Sequence, residues 1–455
     1  MRKRTKRYAL AAWAVVLSAA IPSWAETRYV VEAAPGTNVA VLGPRYGFSI
    51  VATAKESTED IYTIATAEPL TADALKRLSH EKGITEVEAN HELESAEWEE
   101  SGSRRPAALE PLGNAFASKA AVDYYGNRVR ASYSGQRAAQ IIALPEALRT
   151  FGAGGGVVAI IDTGVDTAHP ALRGALVPGY DFTRDRPDTV SELYDLDASQ
   201  REGLTQSTVE ILDQSTVEIL DSRFFVAMLD QSTVEILDQS TVEILDGKLP
   251  KAFGHGTMVA GLVHLVAPQA KIMPLKAFRS DGTATIYDIA RAIRYAADHG
   301  AGVINMSLSY TTPSEILRSA LEYAQGKGAI CVASAGNRGR EMRVYPASYK
   351  YVVGVGSTNF SDRRSPFSNY GDSTLTAAPG EALVTLFPGG HYAAVWGTSF
   401  SSALASGSAS LMRSLYPQMR SEFVKKAFDH GIRIRQEMGD GRIELMRILT
   451  YCLRY

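Results

Sequence analysis

From Gly155 onward the chain repeats one unit: a continuous apolar run, a loop, then an amphipathic helix. Val157-Val158-Ala159-Ile160-Ile161 shows no polar alternation, the pattern of a parallel strand covered on both faces. Ile289, Ile293 and Ala296 recur at helical spacing in 286–299, and Val303 to Leu308 reads as the next strand. A second helix over 317–326 and strands over 329–334 and 351–356 continue the series. Parallel neighbours need crossovers, so this order predicts an α/β, doubly wound parallel sheet.

At 455 residues the chain has room for such a core and accessory segments. Its 45% hydrophobic and 21% charged residues are ordinary for a globular protein, and a net charge of −3 gives no reason to expect nucleic acid or a membrane surface as partner. Cys331 and Cys452 are the only cysteines, too few for a disulfide framework. Cys331 falls in an apolar run and reads as a buried thiol, with its pairing to Cys452 left open.

The segments before the core differ in character. Residues 1–25 carry a basic start, an apolar run from Tyr8 to Ile21 and Ser23-Trp24-Ala25, which reads as a signal peptide for export, secreted or periplasmic; an uncleaved anchor is the alternative. Over 26–95 the expected order is β-α-β-β-α-β, a split βαβ module, with Thr71 as N-cap of the second helix and Gly83 as its stop. Residues 96–132 lack sustained periodicity and read as an exposed linker open to nicking. The remainder, 133–455, holds the doubly wound core with an insertion at about 191–250. There Gln-Ser-Thr-Val-Glu-Ile-Leu-Asp occurs identically from Gln206, Gln214, Gln231 and Gln239, with Ser222 to Asp230 as a degenerate fifth unit. Its Val, Ile and Thr favour short strands or an unsettled loop, although Ser207 and Glu210 also fit a helix capping box.

Three short segments carry chemistry. Asp162 ends the first apolar strand, where an unpartnered carboxylate is costly; the plain alternative is a turn cap. His255 stands in Gly254-His255-Gly256-Thr257 before an apolar helix, and alone of eight histidines has glycine on both sides. Ser399 stands in Gly397-Thr398-Ser399 at the start of a thin helix reaching about Leu415; the alternative is a capping serine. A serine hydroxyl is a weak nucleophile without a base in reach, and a helix N-terminus favours developing negative charge. Ser334-Ala335-Gly336-Asn337 follows another buried strand.

The order Asp…His…Ser, with these flanking residues, resembles the subtilisin-like serine protease family, peptidase S8. Further matching segments are Tyr345-Pro346-Ala347, Phe367-Ser368-Asn369-Tyr370-Gly371, Ala377-Ala378-Pro379-Gly380 and Gly439-Asp440-Gly441, so the likeness spans about 136–447. It implies a subtilisin-like doubly wound fold preceded by a small α+β inhibitory propeptide, whose ending is similar to Gly83-Ile84-Thr85-Glu86-Val87-Glu88-Ala89-Asn90. By resemblance Ser399 is the nucleophile, His255 the general base and acid, Asp162 its orienting carboxylate, and Asn337 an oxyanion donor. One wall of the substrate cleft would be Ser307-Leu308-Ser309-Tyr310 and the other would include Gly282. Glycines usually stand at 309 and 310, so a narrower primary pocket is expected. Met258 replaces a histidine and Ala403 a proline.

The resemblance implies a secreted serine endopeptidase, made as a zymogen, acting on protein or peptide substrates and inhibited by its own propeptide. The chemistry requires no cofactor. Structural calcium stays open, although Tyr194-Asp195-Leu196-Asp197 reads first as solvated surface charge. The competing reading is a non-catalytic secreted scaffold whose repeats form a binding or assembly surface.

Overall fold

The computed structural model describes residues 26–56, 58–94, 120–201, 204, 226–228, 249–250, 252–419 and 421–454. The expected signal peptide, the four identical repeats and most of the expected linker lie outside the described residues.

The N-terminal part is a four-stranded antiparallel sheet in the order β2-β3-β1-β4, made of β1 (Thr27–Ala33), β2 (Phe48–Lys55), β3 (Asp60–Thr66) and β4 (Ile84–Ala89). Helix α1 (Ala72–Ser79) is capped by Thr71, whose side chain accepts from the Ala74 N–H. Leu78 on this helix is fully buried with Val31 and Ile64 of the sheet. A last short strand, β5 (Glu92–Glu94), leaves this sheet and pairs elsewhere.

The core is a seven-stranded sheet with parallel pairing throughout. Its strands are β6 (Val157–Asp162), β7 (Tyr180–Asp181), β8 (Lys271–Lys276), β10 (Val303–Met306), β11 (Ile330–Ser334), β12 (Val352–Thr358) and β13 (Thr376–Pro379), with β9 (Thr283–Thr285) outside the sheet. The spatial order is β13-β12-β11-β10-β6-β8-β7. The order reverses at β6, so the carboxyl end of β6 opens on the crevice where such sheets place their sites. Buried side chains cover both faces in two large clusters.

Helices α2 (His255–Val266) and α5 (Thr398–Leu415) pack on one face. On the other lie α3 (Ile286–Asp298) and α4 (Glu315–Gly326). A Cβ on Gly407 would stand 2.6 Å from the Val266 Cβ, so glycine there permits the close approach of α5 to α2. Strands β14 (Leu383–Phe387) and β15 (His391–Val395) form an antiparallel hairpin that leads into α5. From the insertion, Val226–Met228 pairs antiparallel with β15.

Two features depart from the sequence reading. The stretch expected to be linker contains a hairpin at its end, Ala121–Tyr124 with Asn127–Arg130, turned by Tyr125 and Gly126 at positive φ. Val129 is buried, and the Tyr124 hydroxyl donates to the Leu265 carbonyl, so this segment belongs to the core packing. Strands of four residues are too short for a period to show. Asp195 is not solvated charge: it is 8% exposed and pairs with Arg184 and Lys276. Cys331 and Cys452 are both buried and both free.

Candidate active site

Asp162 is the last residue of β6 and is 3% exposed. Its Oδ1 accepts from the Thr163 N–H at 2.7 Å and from the Thr163 hydroxyl at 3.2 Å. The same oxygen lies 2.7 Å from Nδ1 of His255, the first residue of α2. A carboxylate only accepts, so Nδ1 carries the proton and Nε2 is the basic nitrogen of the imidazole.

Two glycines explain how residues 93 apart in sequence meet. A Cβ on Gly256 would stand 1.9 Å from the Gly164 carbonyl oxygen, so the start of α2 rests directly on the turn after Asp162. Gly164 has φ +116, a conformation that favours glycine, and its own Cβ would meet the Val190 carbonyl at 2.5 Å. The Gly256 N–H then reaches Thr163 Oγ1 at 3.0 Å.

Ser399 is the second residue of α5, and Gly397 and Thr398 join that helix to β15. Its hydroxyl donates to the Ser307 carbonyl at 3.3 Å, and its carbonyl accepts from Ser307 Oγ at 3.1 Å. The His255 ring lies 5.7 Å from the ring of Phe400, the residue after the serine. Asp162, His255 and Ser399 therefore converge at the carboxyl end of β6 and the amino end of α5. N–H groups in a first helical turn lack partners in their own helix and face the positive end of its dipole.

Asn337 follows β11. Its Oδ1 accepts from the Thr398 N–H at 2.9 Å and the Thr398 hydroxyl at 2.8 Å. With the oxygen so engaged, the amide presents Nδ2 toward the serine loop, 3.6 Å from where a Gly397 Cβ would lie.

Ser307 is tied into this site, accepting from Asn305 Nδ2 at 2.9 Å and lying 3.1 Å from Ser402 Oγ. Leu308 is 2% exposed with its side chain in the core, so only its backbone faces the site region. Its carbonyl accepts from Ser334 Oγ at 3.2 Å, linking the ends of β10 and β11. Ser309 is 1% exposed, and its Oγ lies 2.9 Å from where a Gly336 Cβ would stand. Tyr310 does not narrow the cleft: its ring is in the core beside Tyr345, and the two backbones pair through hydrogen bonds of 2.8 Å. Gly282 sits at φ +90 in the turn before β9. Along β9, Thr283, Ala284 and Thr285 pair antiparallel with Glu94, Leu93 and Glu92 of β5.

Two buried residues beside the site have no signature in the sequence. Glu192 is fully buried and accepts from the Thr163 hydroxyl at 3.0 Å, the Thr257 N–H at 3.1 Å and the Thr257 hydroxyl. Burial pushes its carboxyl up to about 7. Lys276 ends β8, is fully buried, and donates to the Thr163 carbonyl at 2.6 Å and to Asp195 at 2.7 Å. Met258 and Ala403 are fully buried helix residues. Among the described residues no group of three or more His, Cys, Asp or Glu side chains is placed to hold a metal. No helix among them is long and apolar enough to cross a membrane.

The structure is thus a doubly wound parallel α/β protein with a hydrogen-bonded Asp–His pair at the switch strand and a serine at a helix start, in the chain order Asp, His, Ser. Comparison with known proteins makes this specific. The sequence model of the subtilase family, peptidase S8, matches residues 153–440, and the chain belongs to that family. It is 33% identical over 275 residues to the thermophilic serine proteinase of Bacillus sp. (strain AK1), covering 58% of this chain and 54% of that one. It is 31% identical over 291 residues to thermitase of Thermoactinomyces vulgaris, covering 62% and 83%. The chain thus spans about half the length of the Bacillus relative. Among solved structures, fervidolysin from Fervidobacterium pennivorans is similar in fold, with TM-score 0.65 and 19% identity, over 93% of this chain and 61% of that one. The epidermin leader peptide processing serine protease of Staphylococcus aureus gives TM-score 0.61 and 20% identity, over 93% and 98%.

Proposed function

We propose that the chain is a secreted serine endopeptidase made as a zymogen. The observation that carries the reading is His255 Nδ1 held 2.7 Å from Asp162, with the His255 ring 5.7 Å from that of Phe400 beside Ser399 and Asn337 bonded to Thr398 before it. Ser399 Oγ attacks the scissile carbonyl while His255 Nε2 takes its proton and later delivers it to the leaving amine. Asp162 orients the ring and stabilises the imidazolium. Asn337 Nδ2 and the Ser399 N–H receive the oxyanion, and water then hydrolyses the acyl-enzyme. Substrate adds as a strand beside β9 and the 307–309 segment, with Gly282 shaping the turn.

The N-terminal sheet is read as an inhibitory propeptide. β5 already occupies the edge of β9 where a substrate strand would pair. Glu88 accepts from Ser314 Oγ and the Glu315 N–H at the start of α4, a carboxylate at a helix N-terminus. Arg294 of α3 is buried against Glu32 at 3.0 Å and Glu59 at 2.6 Å. Maturation cuts the chain between 95 and about 120, before the packed hairpin, after export directed by residues 1–25. Hydrolysis of an unfolded protein substrate by purified chain, absent in Ser399→Ala, tests the enzyme reading. In the same variant full-length precursor should accumulate, and normal processing of the isolated variant would show that cleavage is not autocatalytic.

A further inference from the structure

Between Asp162 and His255 the chain carries a buried acid, Glu192, that the proposed mechanism does not use. The hydrogen bonds of Glu192 go to neither Asp162 nor His255. It holds the residues next to them: Thr163 directly follows Asp162, and Thr257 lies two residues after His255. Its backbone is fixed as well, since a Cβ on Gly164 would stand 3.1 Å from the Glu192 nitrogen. We propose that Glu192 is a positioning residue for the triad, clamping Thr163 and Thr257 so that the Asp162–His255 pair keeps its geometry and its basicity. This inference rests on the endopeptidase reading.

Thr163 Oγ1 has one hydrogen and two acceptors in reach, Glu192 Oε1 at 3.0 Å and Asp162 Oδ1 at 3.2 Å. Its lone pairs already face the Gly256 N–H at 3.0 Å. The Thr257 hydroxyl donates to Glu192 and accepts from the Asp166 N–H at 2.8 Å. An ionised Glu192 accepts from Thr163 and leaves Asp162 more fully to His255. When a proton binds Glu192, the new O–H donates to Thr163 Oγ1, whose own hydrogen turns to Asp162. That extra bond spreads the Asp162 charge, and the loss of the Glu192 charge acts in the same direction, so the imidazole becomes less basic. The charged or titratable groups around this network are Asp162 and His255, Asp166 across Thr257, and Lys276 with Asp195 beneath Thr163.

The test compares processed wild type, Glu192→Gln and Thr163→Val on a peptide substrate, counting competent sites with a serine-directed phosphonate. Gln keeps the acceptor and the volume but removes the charge. The expected result is KM within about twofold, kcat per titrated site down about tenfold, and the acid limb of kcat moved to lower pH by about half a unit. Thr163→Val removes the hydroxyl that reaches Asp162 while Glu192 keeps its charge, so it should move the limb the opposite way, to higher pH. Acid limbs that coincide in wild type and Glu192→Gln would overturn the proposal. If Glu192→Gln does not fold, the Thr163→Val limb decides alone, a shift to higher pH supporting the relay and coincidence or a shift to lower pH overturning it. A wild type that takes no phosphonate would instead sink the endopeptidase reading itself.

Discussion

Asp162 Oδ1 and His255 Nδ1 lie 2.7 Å apart although the chain between them carries the repeat block. The contact depends on the backbone of Gly256 lying against that of Gly164, where neither position tolerates a Cβ. Changing the carboxylate to an amide separates charge from shape. Asp162→Asn should leave the fold intact, since it keeps the shape and volume of the side chain. It also offers an N–H to Nδ1 and so stabilises the wrong tautomer. Turnover should fall by about four powers of ten with KM little changed. Steady-state kinetics with site titration measure it, and a loss under tenfold would contradict the role given to Asp162.

Asn337 has two duties on one amide. Its Oδ1 holds Thr398, while in the proposed mechanism Nδ2 receives the oxyanion. Asn337→Ala should lower kcat by about two to three powers of ten. Asn337→Asp keeps the tie to Thr398 but puts a carboxylate where the donor stood, so its kcat should fall at least as far. An aspartate variant faster than the alanine variant would mean that the Thr398 tie, not the donor, is what matters.

The junction between the N-terminal sheet and the core should respond to pH. Burial pushes Glu32 up to about 7 from an ordinary value of 4.5, opposed by the Arg294 guanidinium. A raised carboxyl means the docked state holds its proton longer than the separated state. The contribution of Glu32 to docking is therefore full below about 4.5 and is lost as pH rises through about 7. Melting of the Ser399→Ala chain across that window, with and without Glu32→Gln, measures the slope. The substitution should flatten it, and identical slopes would refute the assignment. Arg294→Met, by leaving Glu32 and Glu59 without their cation, should destabilise the junction by about 3–5 kcal/mol.

The cysteines supply a simple check on the core. Burial pushes both thiols up to about 12. Native protein should resist thiol reagents at neutral pH and titrate for two free thiols once denatured. Reductant should leave the melting temperature unchanged.

Much of the site was legible because each member ends a strong local pattern. Asp162 closes an apolar run, His255 stands between glycines that open an apolar helix, and Ser399 precedes a run of small helix residues. Asn337 follows the buried strand β11 in the same way. Glu192 and Lys276 had no such signal, because their importance comes from the close approach at Gly164 and from threonines distant in sequence. Asp195 was misread for the same reason, since acidic residues in a row look solvated until Arg184 and Lys276 fold over them. The hairpin at 121–130 is held by Val129 and Tyr124 against the core, contacts that four-residue strands do not announce.

The central claim is that Ser399 is an activated nucleophile, and labelling by a serine-directed phosphonate tests it most directly. Processed protein should take one label, mapped to Ser399, with labelling abolished in Ser399→Ala and greatly slowed in His255→Ala. Processed, folded protein that leaves Ser399 unlabelled would contradict the account and favour a non-catalytic scaffold.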